Sequence, residues 1–183
     1  PPGVSNNTWD ELTTQMQQGI VAMEIQWNDC APSIEDPETS KVAGKVGYAL
    51  IPKREVPVAH FGAWTYFIPV DAPNPEAAWL FLQWVNTYKV QKAIALAGGF
   101  PCLTSVYNDP ELSEELPYWK ASLDAYEISS TRPRIPEWNV MNNAMMLELS
   151  MVISGEQTSA QALSNLQKKY EDILKGKLPV TYQ

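Results

Sequence analysis

The stretch HFGAWTYFIPVDAPNPEAAWLFLQWV, from His60 to Val85, decides the fold class of this chain. Its first half contains an apolar run of strand length, Trp64 to Val70, which follows a glycine closely. Its second half starts with Asn74 as an N-cap and Pro75 at the first helical position, and apolar side chains then recur at helical spacing. A strand followed directly by a capped amphipathic helix is one step in an alternation of helices and short strands.

The rest of the chain repeats this alternation of helices and short strands. Thr8 and Glu11 form the capping-box pattern of a helix that Gly19 can close, and Thr158 and Gln161 form the same pattern near the carboxyl end. Pro-rich and Asp-rich loops separate the elements. The strands predicted outside the quoted stretch are two apolar runs, residues 20–25 and 45–51.

The charge of the chain disfavours nucleic acid as a partner. Thirteen Lys and Arg residues stand against twenty-one Asp and Glu residues, so the formal net charge is −8. A surface of this sign does not neutralise a phosphate backbone. The sequence also has no apolar run of membrane-spanning length and no signal-peptide pattern, so we expect neither a membrane span nor a leader in it.

A search for reaction chemistry returns no catalytic motif, no metal site and no cofactor motif. The chain has one histidine, His60, and no nucleophile elbow, phosphate loop or dinucleotide fingerprint. Cys30 and Cys102 match no zinc spacing. They can be two buried thiols or, in an oxidising compartment, a disulfide. Glu24 and Asp29 could act as an acid–base pair only if folding arranged them so.

Tryptophan is the unusual component of the sequence, with seven residues. Three of them lie where an apolar element meets polar residues: Trp27 after the first predicted strand, Trp64 at the start of another, and Trp138 after the extended segment RPRIPE. A sugar ring is apolar on its C–H faces and polar around its rim, so it needs a flat aromatic surface with polar groups in its plane. These three indoles therefore predict a carbohydrate site.

Polar groups that could meet the rim of a sugar lie beside these indoles. Asn28 and Asp29 follow Trp27 directly, and Arg134 precedes Trp138. Charged groups such as these form the stronger hydrogen bonds to hydroxyls. In the step Gly62-Ala63-Trp64, the glycine would let the backbone approach a ligand closely because it carries no side chain. The predicted ligand-binding residues are Trp27, Asn28, Asp29, Gly62, Ala63, Trp64, Arg134 and Trp138.

Six stretches, in this order and at these intervals, resemble the carboxy-terminal half of the extracellular solute-binding proteins of ABC sugar importers. They are GIVAMEIQW, GKVGYALIP, HFGAWTYFIPVDAPNPEAAWLFLQWV, GGFPCLTSVYNDPEL, RPRIPEW and SGEQTSAQAL. This is the type II periplasmic binding protein group that includes maltose-binding protein. The resemblance implies an α/β, helix-rich, partial two-lobe fold with a short mixed sheet. It also places the family's cleft aromatics on Trp27 and on Gly62-Ala63-Trp64, with a third near Trp138.

The resemblance further implies an organisation and partners for the chain. Residues 1–57 and 131–183 would belong to lobe two and residues 58–130 to lobe one. The protein would capture a sugar or polyol without chemistry and deliver it to a membrane permease, from the periplasm or tethered to the cell surface. Because the resemblance covers only one half of such a protein, the edge of the strand from Trp64 should be exposed unless the missing amino-terminal half or a second copy covers it.

Two other classes of function stay open at the level of sequence. A carbohydrate-active enzyme would use a pair of carboxylates across the same cleft. A non-sugar binding module or an interaction domain would use the tryptophans as an exposed anchor patch.

Overall fold

The computed structural model describes residues 3–177 and divides into two compact units. The central unit is Thr8–Ser130, and the terminal unit combines residues 3–7 with residues 131–177. The assignment of residues 1–57, 58–130 and 131–183 to two lobes stays a prediction. Residues 1–2 and 178–183 of those predicted segments lie outside the described residues.

Most of the described chain is helical. In the central unit, a 3₁₀ turn spans Asn28–Cys30, and the helices are α1 (Trp9–Gln17), α2 (Ala31–Ile34), α3 (Pro75–Val85), α4 (Tyr88–Leu96), α5 (Thr104–Tyr107), α6 (Pro110–Glu115) and α7 (Trp119–Glu127). The terminal unit contains a 3₁₀ turn, Val4–Asn6, and the helices α8 (Trp138–Ile153) and α9 (Ser159–Ile173). Within residues 3–177, no helix has the length and hydropathy needed to cross a membrane.

The helix boundaries follow the capping patterns of the sequence. The backbone N–H of Thr8 donates to the Glu11 carboxylate at 2.7 Å, and that of Thr158 donates to the Gln161 side-chain oxygen at 2.9 Å. Both capping boxes are therefore confirmed. Gly19 has a φ of +72°, the left-handed conformation that glycine adopts most easily. Helix α3 begins at Pro75, as predicted.

The sheet of the described chain is a single parallel pair of two-residue strands, β1 (Ala59–His60) and β2 (Ser129–Ser130). Ala59 pairs with Ser129 and His60 with Ser130. Two further hydrogen bonds extend the pairing, from Ala59 N to Ile128 O at 3.2 Å and from Phe61 N to Ser130 O at 2.8 Å. The segment that leads into residues 62–70 is thus held by residues 128–130, which follow α7.

The strands predicted at residues 20–25, 45–51 and 64–70 do not form in the described chain. Most of their apolar side chains are instead exposed to solvent, with Trp64 and Val70 fully so, whereas Val21, Val46, Tyr48 and Ile68 are half-buried. A strand needs a neighbour for its backbone hydrogen bonds, and among residues 3–177 these segments have none in a sheet. The strand prediction for these segments is therefore wrong for the described chain, because the pairing that a strand requires is absent among residues 3–177.

The core of the central unit is aromatic and lies among α4, α5, α6 and α7. Trp119 is fully buried and its ring stacks on Tyr107, with centroids 4.8 Å apart. The indole N–H of Trp119 donates to the backbone oxygen of Tyr107 at 3.1 Å, so its polar atom is satisfied. The buried members of this aromatic core are Ala31, Ala95, Val106, Tyr107, Leu112, Tyr118 and Trp119.

The terminal unit packs α8 against α9 and buries a charge between them. Glu148 is only 2 % exposed, and its carboxylate accepts hydrogen bonds from Lys169 at 2.7 Å, Gln157 at 2.7 Å and Asn165 at 3.1 Å. These donors, Lys169 foremost, lower the pKa of Glu148 to about 2. The carboxylate is therefore ionised and fully paired at neutral pH.

Candidate functional site

Trp27 lies where an extended segment enters the 3₁₀ turn Asn28–Cys30, and its backbone is held on both sides. Its N–H donates to the side-chain oxygen of Gln26 at 3.0 Å. Its carbonyl accepts from the Cys30 N–H at 3.3 Å and from the Cys30 thiol at 2.8 Å. With the backbone fixed in this way, the position of the indole depends on its side-chain torsions and on what the ring contacts.

The Trp27 ring lies against the segment that follows β1. The His60 ring meets it edge-on, with centroids 5.1 Å apart and planes at 67°. A Cβ atom placed on Gly62 would lie 3.0 Å from Cη2 and 3.2 Å from Cζ3 of Trp27. The structure therefore brings together two of the residues that the sequence assigned to one site, Trp27 and Gly62. The close approach that Gly62 permits here is to the Trp27 ring.

The other predicted residues of the central unit are more open. Trp64 is fully exposed, and Ala63 and Asp29 are exposed as well. Asn28 is half-buried at the start of the 3₁₀ turn. Ala63 and Trp64 follow Gly62 in the sequence, and their membership of a site with Trp27 stays a prediction.

The two predicted residues of the terminal unit occupy the start of α8. Arg134 is exposed in the extended segment before the helix, and Trp138 is half-buried at its first residue. The N–H of Trp138 donates to the carbonyl of Ile135 at 3.1 Å. Because these residues belong to a different unit from Trp27, their membership of the same site stays a prediction.

Glu24 is a feature of this region that sequence reasoning considered only as a catalytic partner of Asp29. Both of its carboxylate oxygens are closed off from solvent and have no hydrogen-bond partner among the described residues. Burial raises the pKa of Glu24, because the charged form loses its hydration. The sequence signal for this environment is a lone carboxylate inside an otherwise apolar run, IVAMEI.

The cysteines of the described chain are both free. Burial, with the nearby negative charges of Glu24 and Asp29, raises the pKa of the Cys30 thiol to about 12. Cys30 is therefore a protonated, half-buried thiol at neutral pH. Cys102 is exposed, and its thiol contacts the side-chain oxygen of Asn86 at 3.1 Å.

Two surface grooves of the described chain contain none of the predicted ligand-binding residues. A groove of about 490 Å³ runs along α4 and is lined by Trp84, Lys89, Val90, Ala93, Ile94 and Ala97. A second cavity of about 290 Å³ includes Pro32, Glu35 and Tyr118. Within residues 3–177, no group of three or more His, Cys, Asp or Glu side chains could hold a metal ion.

Comparison with known proteins decides the family. The model of the bacterial extracellular solute-binding protein family matches residues 1–92, half of the chain. The chain belongs to this family. A probable amino-acid ABC transporter periplasmic-binding protein of Sinorhizobium fredii is 25% identical over 178 residues, which are 96% of this chain and 40% of that protein. A mannitol-binding protein of Pseudomonas aeruginosa is 24% identical over 190 residues, covering 92% of this chain and 43% of the relative.

Solved solute-binding proteins share the fold. Maltose-bound MalE3 of T. maritima superposes with a TM-score of 0.83 at 25% identity, over 95% of this chain and 46% of that chain. A solute-binding protein of Agrobacterium radiobacter K84 in complex with ribitol gives a TM-score of 0.77 at 30% identity, over 94% of this chain and 45% of that chain. The predicted α/β, type II periplasmic binding protein fold is confirmed. The chain spans less than half the length of the solute-binding proteins it matches.

Proposed function

We propose that this chain is part of the substrate-binding component of an ABC importer and that its ligand is a sugar or polyol. The observation that carries this proposal is the structural match to solute-binding proteins with maltose or ribitol bound, over nearly all of this chain. The family membership and the pair formed by Trp27 and Gly62 support it.

Ligand capture would combine stacking with hydrogen bonding. The Trp27 indole offers a flat apolar face to the C–H face of the ligand, and Trp64 offers a second one in the next segment. Asn28 and Asp29, directly beside Trp27, supply an amide and a carboxylate for the hydroxyl rim. Gly62 and Ala63, which precede Trp64, have little or no side chain that could block a ligand. Arg134 and Trp138 are the remaining predicted ligand-binding residues.

The proposed activity is binding and delivery without chemistry. The ligand would shift the protein toward a closed form that a membrane permease recognises, outside the inner membrane in the periplasm or at the cell surface.

A further polypeptide segment would complete the central unit. The side chains of Trp64, Tyr66, Phe67 and Val70 are exposed, and contiguous exposed apolar side chains mark an interaction surface. We propose that the covering segment is the part of the solute-binding fold that this chain does not span, since the solved structures that it matches are about twice as long. Co-expression with the unmatched portion of the ribitol-bound protein should yield a one-to-one complex by size exclusion with light scattering. A stable dimer of this chain alone would favour a second copy instead.

A non-sugar ligand is the second candidate, because the Sinorhizobium fredii relative is described as a probable amino-acid transporter component. Titration calorimetry and tryptophan fluorescence with maltose, D-mannitol, ribitol and a panel of L-amino acids separate the two. We expect saturable binding of a sugar or polyol and no response to amino acids.

The matched variants for this titration are Trp27→Ala and Trp79→Ala. Trp79 is an exposed indole on α3 that the proposal leaves out of the site. Trp27→Ala should abolish the response and Trp79→Ala should preserve it. Binding that survives Trp27→Ala, or hydrolysis of an oligosaccharide in the same samples, would contradict the proposal.

A further inference from the structure

We infer that Gly62 is a positioning residue, which sets the orientation of the Trp27 indole because it carries no side chain. This deepens the proposed function, since the orientation of the ring fixes the face on which a sugar or polyol would stack. The inference about the ring itself rests on contacts within the central unit and can be tested without any ligand.

A Cβ at position 62 would approach the Trp27 ring more tightly than ordinary van der Waals contact, so one of the two must shift by a few tenths of an ångström. A Cβ on Gly62 would lie 3.0 Å from Cη2, 3.2 Å from Cζ3 and 3.7 Å from the His60 Nε2 atom. Carbon atoms in van der Waals contact are 3.5–4.0 Å apart, so the first two distances fall inside the repulsive range. A side chain at position 62 must therefore displace either the backbone of this segment or the Trp27 ring.

The backbone on the Gly62 side is the part that resists displacement. The preceding residue, Phe61, donates its N–H to Ser130 O at 2.8 Å. Its ring meets Tyr126 edge-on at 5.9 Å, and Tyr126 in turn meets Tyr107 of the aromatic core at 5.2 Å. The sheet pairing and the core thus hold the chain immediately before Gly62.

The Trp27 ring is the part that moves. Hydrogen bonds hold its backbone, as described above, and the ring is only half-buried, so rotation about its side-chain torsions is the way open to it. His60 lies in β1 and contacts the Trp27 ring edge-on, so it restricts the ring from a second side. Position 62 therefore controls the ring through contact, without touching the ligand.

The seven indole N–H signals in a ¹H–¹⁵N spectrum of the whole chain provide the test. The Trp27 signal is the one that disappears in Trp27→Phe. We expect Gly62→Ala to shift this signal and to leave the other six in place, with a larger shift in Gly62→Val. Gly47→Ala is the matched control, because nothing lies within 4 Å of a Cβ at that glycine and its φ is not positive. An unmoved Trp27 signal in both Gly62 variants would overturn the inference.

The ligand arm uses whichever of maltose, D-mannitol or ribitol binds. Gly62→Ala should weaken its binding by roughly threefold to tenfold, the order of one aromatic stacking contact. In the Trp27→Phe background, where the ring lacks the atoms that meet position 62, Gly62→Ala should have no further effect. An equal loss in both backgrounds would mean that Gly62 acts on the ligand directly, against the inference. If no probe binds, the proposed function fails, while the spectra still decide the role of Gly62.

Discussion

The central unit contains two aromatic-rich regions that differ in their exposure to solvent. The aromatic core around Trp119 is closed to solvent, whereas the segment of residues 61–70 exposes Trp64, Tyr66 and Phe67. The residue types are the same, so hydrophobicity does not distinguish the two regions. The difference lies in where their partners come from. Helices satisfy their own backbone and α4 to α7 are neighbours in sequence, but an apolar strand needs hydrogen-bonding neighbours from elsewhere.

The largest expected effect is on the closed side of this comparison. Trp119→Ala should lower the free energy of unfolding by about 3–5 kcal/mol, because it leaves a cavity and removes stacking on Tyr107. Urea unfolding followed by circular dichroism measures the change. Trp79→Ala, at an exposed position of α3, should change stability by less than about 0.5 kcal/mol. Equal losses for the two tryptophans would break the distinction between the regions.

The terminal unit provides a third region for comparison, in which the buried group is the charged side chain of Glu148. The folded-state pKa of Glu148, about 2, is lowered from an ordinary 4.5. The stability that Glu148 contributes is therefore complete above about pH 4.5 and is lost as the pH falls toward 2. Glu148→Gln should lower the melting temperature at pH 7, because Lys169 loses its anion, and should flatten the acid dependence of melting in that interval.

Asp172→Asn provides the matched control for this substitution, since Asp172 is an exposed carboxylate on α9. Its melting temperature should follow that of the parent chain at every pH. An unchanged acid dependence in Glu148→Gln would show that the ion pair with Lys169 contributes no stability at low pH.

In the exposed segment of residues 61–70, substitutions should hardly change the stability of the isolated chain. Trp64→Ser with Phe67→Ser should change the free energy of unfolding by no more than about 0.5 kcal/mol, because both side chains are already in water. The same pair should reduce the binding of the dye ANS and should prevent the co-expressed complex described above. A marked loss of stability in the isolated chain would mean that the segment is packed after all.

This contrast explains how much of the fold the sequence could predict. The helices were predictable because their signals are local: the capping boxes at Thr8 and Thr158 and the proline at position 75 each act within one turn. The strands were not, because residues 64–70 have strand composition but no partner strand among residues 3–177. Strand formation depends on pairing that a single stretch cannot reveal.

The candidate site was predictable in part for a related reason. Indoles at the ends of apolar runs pointed to Trp27 and to the step Gly62-Ala63-Trp64, and the structure places Gly62 against the Trp27 ring. The sequence could not reveal that the glycine makes room for the indole, because that contact joins residues 35 positions apart (62 − 27 = 35). The environment of Glu24 was not predictable for the same reason, since its lack of hydrogen-bond partners is visible only in three dimensions.

The smallest expected effect concerns a pair of thiols and leaves stability unchanged. Cys102 is exposed, whereas Cys30 is half-buried with a pKa of about 12. Because alkylation proceeds through the thiolate, iodoacetamide at pH 8 should modify Cys102 rapidly and Cys30 slowly, as measured by mass spectrometry of proteolytic peptides. In urea both should react at similar rates, which controls for the reagent. Rapid alkylation of Cys30 in the folded chain would show that the 3₁₀ turn after Trp27 is accessible to solvent. The hydrogen bonds from Cys30 to the Trp27 carbonyl would then hold the backbone of Trp27 less firmly than their distances indicate.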